Sequence, residues 1–164
     1  MLKKDIRKKM WRVIVDSVIG YTDIKYIKNV NASNKFDAIE ELVKVFDGTN
    51  LCNDIDSLIN ALKEREAIMS TGIGAGIAIP HAKISTVTEM AFAIGVSKRG
   101  IDFDSMDGYA VNLIILVIAG EKQHKDYLRL LSNIMAILKK EPVKEKIINA
   151  VSSEEILNIL KDQT

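Results

Sequence analysis

The chain has 164 residues, 48% hydrophobic and 27% charged, with a formal net charge of +1; this suits one compact soluble domain over residues 1–164 and excludes disordered and fibrous classes. Beyond its first residues the charge is well mixed, so no domain-wide field attracts nucleic acid, and no such partner is expected. One cysteine and two histidines supply neither an internal disulfide nor a zinc-ligand set, and no metal or cofactor is expected.

The cluster Lys3, Lys4, Arg7, Lys8, Lys9 and Arg12 resembles the charged start of a signal peptide. The stretch behind it contains Arg12 and Asp16 and no clean apolar segment, which disfavours secretion. These charges read instead as the solvated face of a first helix whose Leu2, Ile6, Met10 and Val13 form the buried stripe. Ile24, Tyr26, Ile27 and Val30 suggest a short strand. Asn34, with Asp37 three residues on, caps a helix in which Phe36, Ile39, Leu42, Val43 and Phe46 recur until Gly48 stops it. Cys52 lies in a polar turn without a basic neighbour and reads as an incidental thiol. A further helix starts near Asn53 or Asp54, buries Ile55, Leu58, Ile59 and Leu62, and ends near Arg65 and Glu66.

The segment STGIGAGIAIPHAKISTVTE reads as a loop around one short strand. EMAFAIGVSKRGIDF and YAVNLIILVIAG follow, two central strands separated by Asp107-Gly108. The longest apolar run, Leu113 to Ala119, fits a buried strand and is too short to span a bilayer. A helix with Leu128, Leu131, Ile134, Met135 and Leu138 on one face comes next. Pro142 opens another with Val143, Ile147 and Ile148, and Ser153 caps a last one with Ile156, Ile159 and Leu160. This order predicts an α/β fold: a single-domain sandwich with a small central mixed β-sheet flanked by helices.

Gly72, Gly74 and Gly76 invite a phosphate-loop reading, because exposed backbone N–H groups surround phosphate oxygens. The spacing G-x-G-x-G runs into IAIPH rather than a helix, and neither a Gly-Lys-Ser/Thr motif nor a ribose acid completes a nucleotide site. The glycines then serve positive φ or close packing. His81 follows Pro80, whose fixed φ makes a stiff approach to it. A neutral imidazole attacks phosphorus through one nitrogen while the other is held by a hydrogen bond.

The block REAIMSTGIGAGIAIPHAK resembles the active-site signature of the fructose/mannitol class of EIIA domains of the phosphoenolpyruvate-dependent phosphotransferase system, a class that includes nitrogen-regulatory EIIA proteins. The likeness extends to the capped helix before it, GIDFDSMDGYAV after it, the helix near HKDYLRLL and the closing SSEEILNIL; only the first thirty or so residues look atypical. The resemblance implies a cytoplasmic phosphotransferase component. In it His81 accepts a phosphoryl group from HPr and passes it to the cysteine of an EIIB domain or protein, the membrane being involved only through EIIC. It places Arg65 beside the site, to clamp phosphoryl oxygens. Glu66 and Thr71 match the motif in either a tethering or a catalytic role. Many members carry a second histidine where this chain has Tyr127, with His124 three residues earlier; either residue is a candidate auxiliary group. Met69, Ile73 and Ile77 belong either to a partner-binding rim or to the core. Transfer to a sugar transporter and regulation through a protein partner both remain open.

Overall fold

A computed structural model describes residues 2–163, apart from the side chain of Leu2. Six α-helices run over Leu2–Ile19 (α1), Lys35–Val43 (α2), Ile55–Ile68 (α3), His124–Leu138 (α4), Val143–Asn149 (α5) and Ser153–Lys161 (α6). Six strands run over Ile27–Asn29 (β1), Gly72–Gly74 (β2), Ile77–Ala78 (β3), His81–Lys83 (β4), Ala91–Ile101 (β5) and Val111–Ala119 (β6). They form one mixed sheet in the order β1-β5-β6-β3-β2, with β4 also paired to β6. The expected α/β sandwich with a mixed central sheet is the fold observed.

β5 and β6 are antiparallel, as Phe92 opposite Val117 and Ile94 opposite Ile115 show. The other edge of β6 takes β3 and then β4, both parallel to it, at Ile77 opposite Leu113 and His81 opposite Val117. Alternate residues of β6 feed two cores. Leu113, Ile115 and Val117 pack with Phe92, Ile94 and side chains of α1, α4, α5 and α6. Ile114, Leu116 and Ile118 pack with Ala91, Ala93 and the apolar faces of α2 and α3. A strand buried on both faces reads as one continuous apolar run, which is why β6 shows no alternation in sequence.

The α2 and α3 readings hold at the level of their caps. Asn34 Oδ1 accepts from the Asp37 N–H at 3.0 Å and Asp54 Oδ1 from the Ser57 N–H at 3.0 Å, each satisfying a donor the helix itself leaves free. The strand expected from Ile24 begins later, because Ile24–Tyr26 form a 3₁₀ turn before β1. Three expectations fail. In α1 the stripe Ile6, Met10 and Val13 is 59%, 53% and 68% exposed, while Val15 and Val18 are buried and Trp11 and Ile14 partly so. Two apolar stripes compete in this helix, and the one with the tryptophan and the tighter i, i+3, i+4, i+7 spacing takes the core. In α4 the face on the sheet is Tyr127, Leu130, Ile134, Ile137 and Leu138; Leu128 is exposed, and Leu131 and Met135 lie only at the margin. The cap of α6 is Ser152, whose Oγ accepts from the Glu155 N–H at 3.1 Å, whereas the Ser153 hydroxyl donates to the Ile27 carbonyl at 3.0 Å.

No helix of the described residues is long and apolar enough to cross a membrane. At the centre of β5, a Cβ on Gly95 would lie 2.7 Å from Val30 Cγ2 and 3.0 Å from Leu42 Cδ2. Val30 is stiff and buried, so the added methyl overpacks this core. Gly95→Ala should cost about 1–3 kcal/mol, read as a lower urea midpoint at unchanged m-value.

Candidate functional site

Residues 77–83 are one extended stretch on the edge of β6, interrupted at Ile79-Pro80. Pro80 has no N–H to give, but its carbonyl accepts from the Val117 N–H at 2.9 Å, so the stretch stays in register on both sides of it. The segment that reads as a loop with one strand is therefore three short strands, β2, β3 and β4, and His81 sits on a strand. Sequence misses this because the strands are two or three residues long and the partner of β3 and β4 is more than thirty residues away. Gly74 and Gly76 take φ of +95° and +75°, and Ala75 between them takes +55°. That left-handed turn is tied down where Asp107 Oδ2 accepts the Ala75 N–H at 2.9 Å and Lys144 Nζ donates to the Ala75 carbonyl at 2.7 Å.

On β4, His81 and Lys83 share one face and Ala82 enters the opposite core. The His81 ring is half-buried, with Nδ1 2.7 Å from the Ile79 carbonyl oxygen. A carbonyl only accepts, so Nδ1 carries the proton and Nε2 keeps its lone pair. Burial is the main reason the imidazole pKa lies below its ordinary 6.5; the bond to Ile79 opposes this, the Arg65 charge adds to it, and the Glu66 charge offsets part of it. At neutral pH the ring is neutral, with one nitrogen held and the other free.

Arg65 lies in the last turn of α3, where Nη1 donates to the Met69 carbonyl at 3.0 Å, and it lines the same groove as His81. This guanidinium thus closes the helix end and brings positive charge to the site. Glu66 is fully buried. Its carboxylate accepts from the Thr71 N–H at 3.0 Å and from the Thr71 hydroxyl at 2.6 Å, and Lys35 Nζ lies 3.7 Å away. The two motif residues therefore anchor the start of the glycine segment to α3. Thr71 passes the restraint on, since its carbonyl accepts from the N–H of Ile79, the residue that orients His81, at 3.0 Å. Lys35 has no signal in the sequence; it is the first residue of α2 and meets Glu66 only through tertiary packing.

The two auxiliary candidates occupy different environments. Tyr127 is buried, with its ring centroid 5.9 Å from that of His81 and the planes tilted by 55°. Burial pushes its hydroxyl pKa up to about 12 against the opposing charge of Arg65, so it is a hydrogen-bond donor at any physiological pH. His124 is exposed, and its Nδ1 meets Lys83 Nζ. Lys83 also lies 5.6 Å from the centroid of the Tyr127 ring. Sequence reading missed Lys83, though two-residue spacing from His81 would have flagged it once 81–83 was taken as a strand.

His81 opens on a groove of about 750 Å³. Met69, Ile73 and Met106 form its exposed rim, Ile77 lies in the core beneath, and Leu131 and Met135 of α4 form the facing wall. Methionines on such a rim adapt to differently shaped partners. Glu66→Ala would leave both Thr71 donors unpaired and Lys35 with only Asp104, 3.6 Å away, as its carboxylate partner, and we expect it to cost about 3 kcal/mol. Glu66→Gln, which keeps an acceptor oxygen, should cost less, both read by urea denaturation.

Residues 21–163 match the family described as "Phosphoenolpyruvate-dependent sugar phosphotransferase system, EIIA 2". The chain is 36% identical over 132 residues to the PTS system fructose-specific EIIABC component of Bacillus subtilis, covering 80% of this chain but only 21% of that protein. It is 35% identical over 130 residues to the PTS system fructose-specific EIIA component of Haloferax volcanii, covering 79% of this chain and 84% of the other. With the nitrogen regulatory protein of Pseudomonas aeruginosa it shares 32% identity over 109 residues, 66% of this chain and 71% of that one. Among solved structures, nitrogen regulatory protein IIA-Ntr from Neisseria meningitidis superposes with a TM-score of 0.80 at 24% identity, covering 87% of this chain and 98% of that one. The complex of mannitol EIIA with phosphorylated EIIB from Escherichia coli gives a TM-score of 0.73 at 20% identity, covering 85% and 96%; both likenesses concern the fold. With nearly the whole chain matched, this protein belongs to the EIIA type 2 family of the phosphoenolpyruvate-dependent sugar phosphotransferase system.

Proposed function

We propose that the chain is a phosphohistidine carrier in which His81 accepts a phosphoryl group from phospho-HPr and passes it to an EIIB cysteine for sugar uptake. The observation that carries this reading is the fixed tautomer of His81: Nδ1–H is held by the Ile79 carbonyl and Nε2 is left as the nucleophile. In the first step a P–Nε2 bond forms as the donor's N–P bond breaks, and that electron pair returns to the donor nitrogen. The imidazole gains positive charge, which the retained Nδ1–H shares with Ile79. In the second step a thiolate attacks phosphorus, an S–P bond forms, and the electron pair of the broken bond returns to Nε2. Phosphoryl transfer through a loose transition state needs alignment and charge more than covalent help. Arg65 supplies a cation for the phosphoryl oxygens and the Tyr127 hydroxyl a neutral donor. The groove with Met69, Ile73 and Met106 on its rim suits transient docking of donor and acceptor in turn. The Escherichia coli complex named above shows a mannitol EIIA engaged with phosphorylated EIIB, which supports EIIB as the acceptor here.

The resemblance to nitrogen regulatory proteins supports a second reading, in which the phosphorylation state of His81 governs binding to a protein partner. Tyr127, standing where many members carry a second histidine, is the residue that favours it, because it cannot act as a charged imidazolium.

Incubation with phosphoenolpyruvate, enzyme I and HPr should add one acid-labile phosphoryl group by intact mass, absent in His81→Ala. Loss of the label on adding EIIB supports the carrier; a label that EIIB leaves in place supports regulation. No label with active HPr overturns both. Arg65→Lys keeps the charge and loses the planar fork, and should slow transfer about 10–100-fold.

The depressed His81 pKa has a sign that can be tested. Because the folded ring resists protonation, the unfolded chain binds more protons at acid pH, and this contribution to stability is present above pH 6.5 and lost as pH falls through and below it. The His81 imidazole should titrate below 6.5 by NMR, and His81→Asn should flatten the acid side of the Tm-against-pH curve.

A further inference from the structure

The first helix carries a surface that the proposed phosphoryl chemistry does not use. α1 lies wholly before residue 21, where the family match begins. Between Lys3 and Arg12 it holds six cations against one anion, Asp5, a local net charge of +5 in a chain whose total is +1. All six cations are exposed, and among the described residues none is in an ion pair. The inner face is committed: Trp11, Ile14, Val15 and Val18 pack into the core, Ser17 accepts from Asn133 of α4 at 2.8 Å, and Lys140 caps the Trp11 ring at 4.3 Å.

One flank of the helix carries an exposed apolar ridge. Ile6, Met10 and Val13 recur at steps of four and three and are more than half exposed. Helical geometry puts Lys9 along one side of this stripe and Lys3 and Arg7 along the other. Asp16 and Asp5 lie beyond Lys9, away from the stripe. A bulky apolar ridge bordered on both sides by cations is the pattern of a helix lying in the plane of an anionic membrane, its ridge at the headgroup–acyl boundary and its cations on phosphates.

We propose that α1 docks this protein reversibly on an anionic lipid surface, with Ile6, Met10 and Val13 inserted and the flanking Lys3, Arg7 and Lys9 held by lipid phosphates. A second copy of the chain is a poor occupant, since pairing the ridges would bring two +5 segments together. Nucleic acid would satisfy the cations but leave the apolar ridge without a partner. Three apolar side chains give a shallow hold, so the binding depends on both components at once.

The test is co-sedimentation of the full chain with vesicles of about 70% phosphatidylcholine and 30% phosphatidylglycerol, beside pure phosphatidylcholine, at low and high salt. Binding is expected only to the anionic vesicles and only at low to moderate salt. It should weaken about tenfold both in Ile6→Gln/Met10→Gln/Val13→Gln and in Lys3→Gln/Arg7→Gln/Lys9→Gln. Circular dichroism and phosphorylation of His81 should be unchanged in both, because none of these side chains is buried or lies in the site. Absence of binding to the anionic vesicles at low salt overturns the proposal. So does binding that survives loss of the ridge, which would reduce the contact to charge alone. Tighter capture by duplex DNA or RNA than by vesicles, or a concentration-dependent dimer abolished by the ridge variant, would overturn it in favour of those occupants.

Discussion

The parallel pairing of residues 77–83 with β6 is the constraint on which the site depends. β6 is buried on both faces and locked to β5, so it cannot shift without disturbing both cores. A one-residue slip of the short edge strands against it would turn His81 into the core and bring Ala82 to the groove. Pro80 breaks the run of N–H donors without losing register, because its carbonyl still pairs with Val117. The His81 imidazole is thereby carried by one of the least movable parts of the molecule, although the element bearing it is only three residues long.

A second restraint reaches His81 from the other side of the sheet. Glu66 holds Thr71, Thr71 holds the Ile79 N–H, and the Ile79 carbonyl holds Nδ1. This chain of hydrogen bonds links the end of α3 to the ring tautomer, with Lys35 of α2 balancing the buried carboxylate. Such a network rigidifies only while every member is satisfied. Arg65 and Glu66 are neighbours in sequence with divided labour: one side chain turns to the groove and carries charge, the other turns inward and carries shape.

What was legible in the sequence was local. The Asn34 and Asp54 caps, and the helices they start, follow from side-chain chemistry within three residues. β5 and β6 follow from long apolar runs bounded by glycine. Where the reading failed, the deciding partner was remote. β2, β3 and β4 are too short to show a period; β6 makes strands of β3 and β4, and β3 in turn of β2. α1 and α4 each offer two apolar stripes, and periodicity alone does not say which one meets the sheet. Arg65 was reached through a resemblance covering the motif that joins it to His81, and its bond to the Met69 carbonyl at the end of α3 follows from where that helix stops. Lys35, whose neighbour Glu66 lies 31 positions away, leaves no local trace, and Lys83 leaves one only once 81–83 is taken as a strand.

The outer margin of β4 is also a free border of the sheet, since among the described residues β6 is its only strand partner. An unpaired border invites another strand to add itself, which is how sheets from separate molecules join into aggregates. Here the border is only three residues long, ends in the cation Lys83, and lies against α3. These are the means by which natural sheets refuse edge-to-edge growth. The stretch that presents the imidazole to its surroundings is thus guarded against sheet extension, leaving the side chains of the groove as the surface through which another protein can engage it.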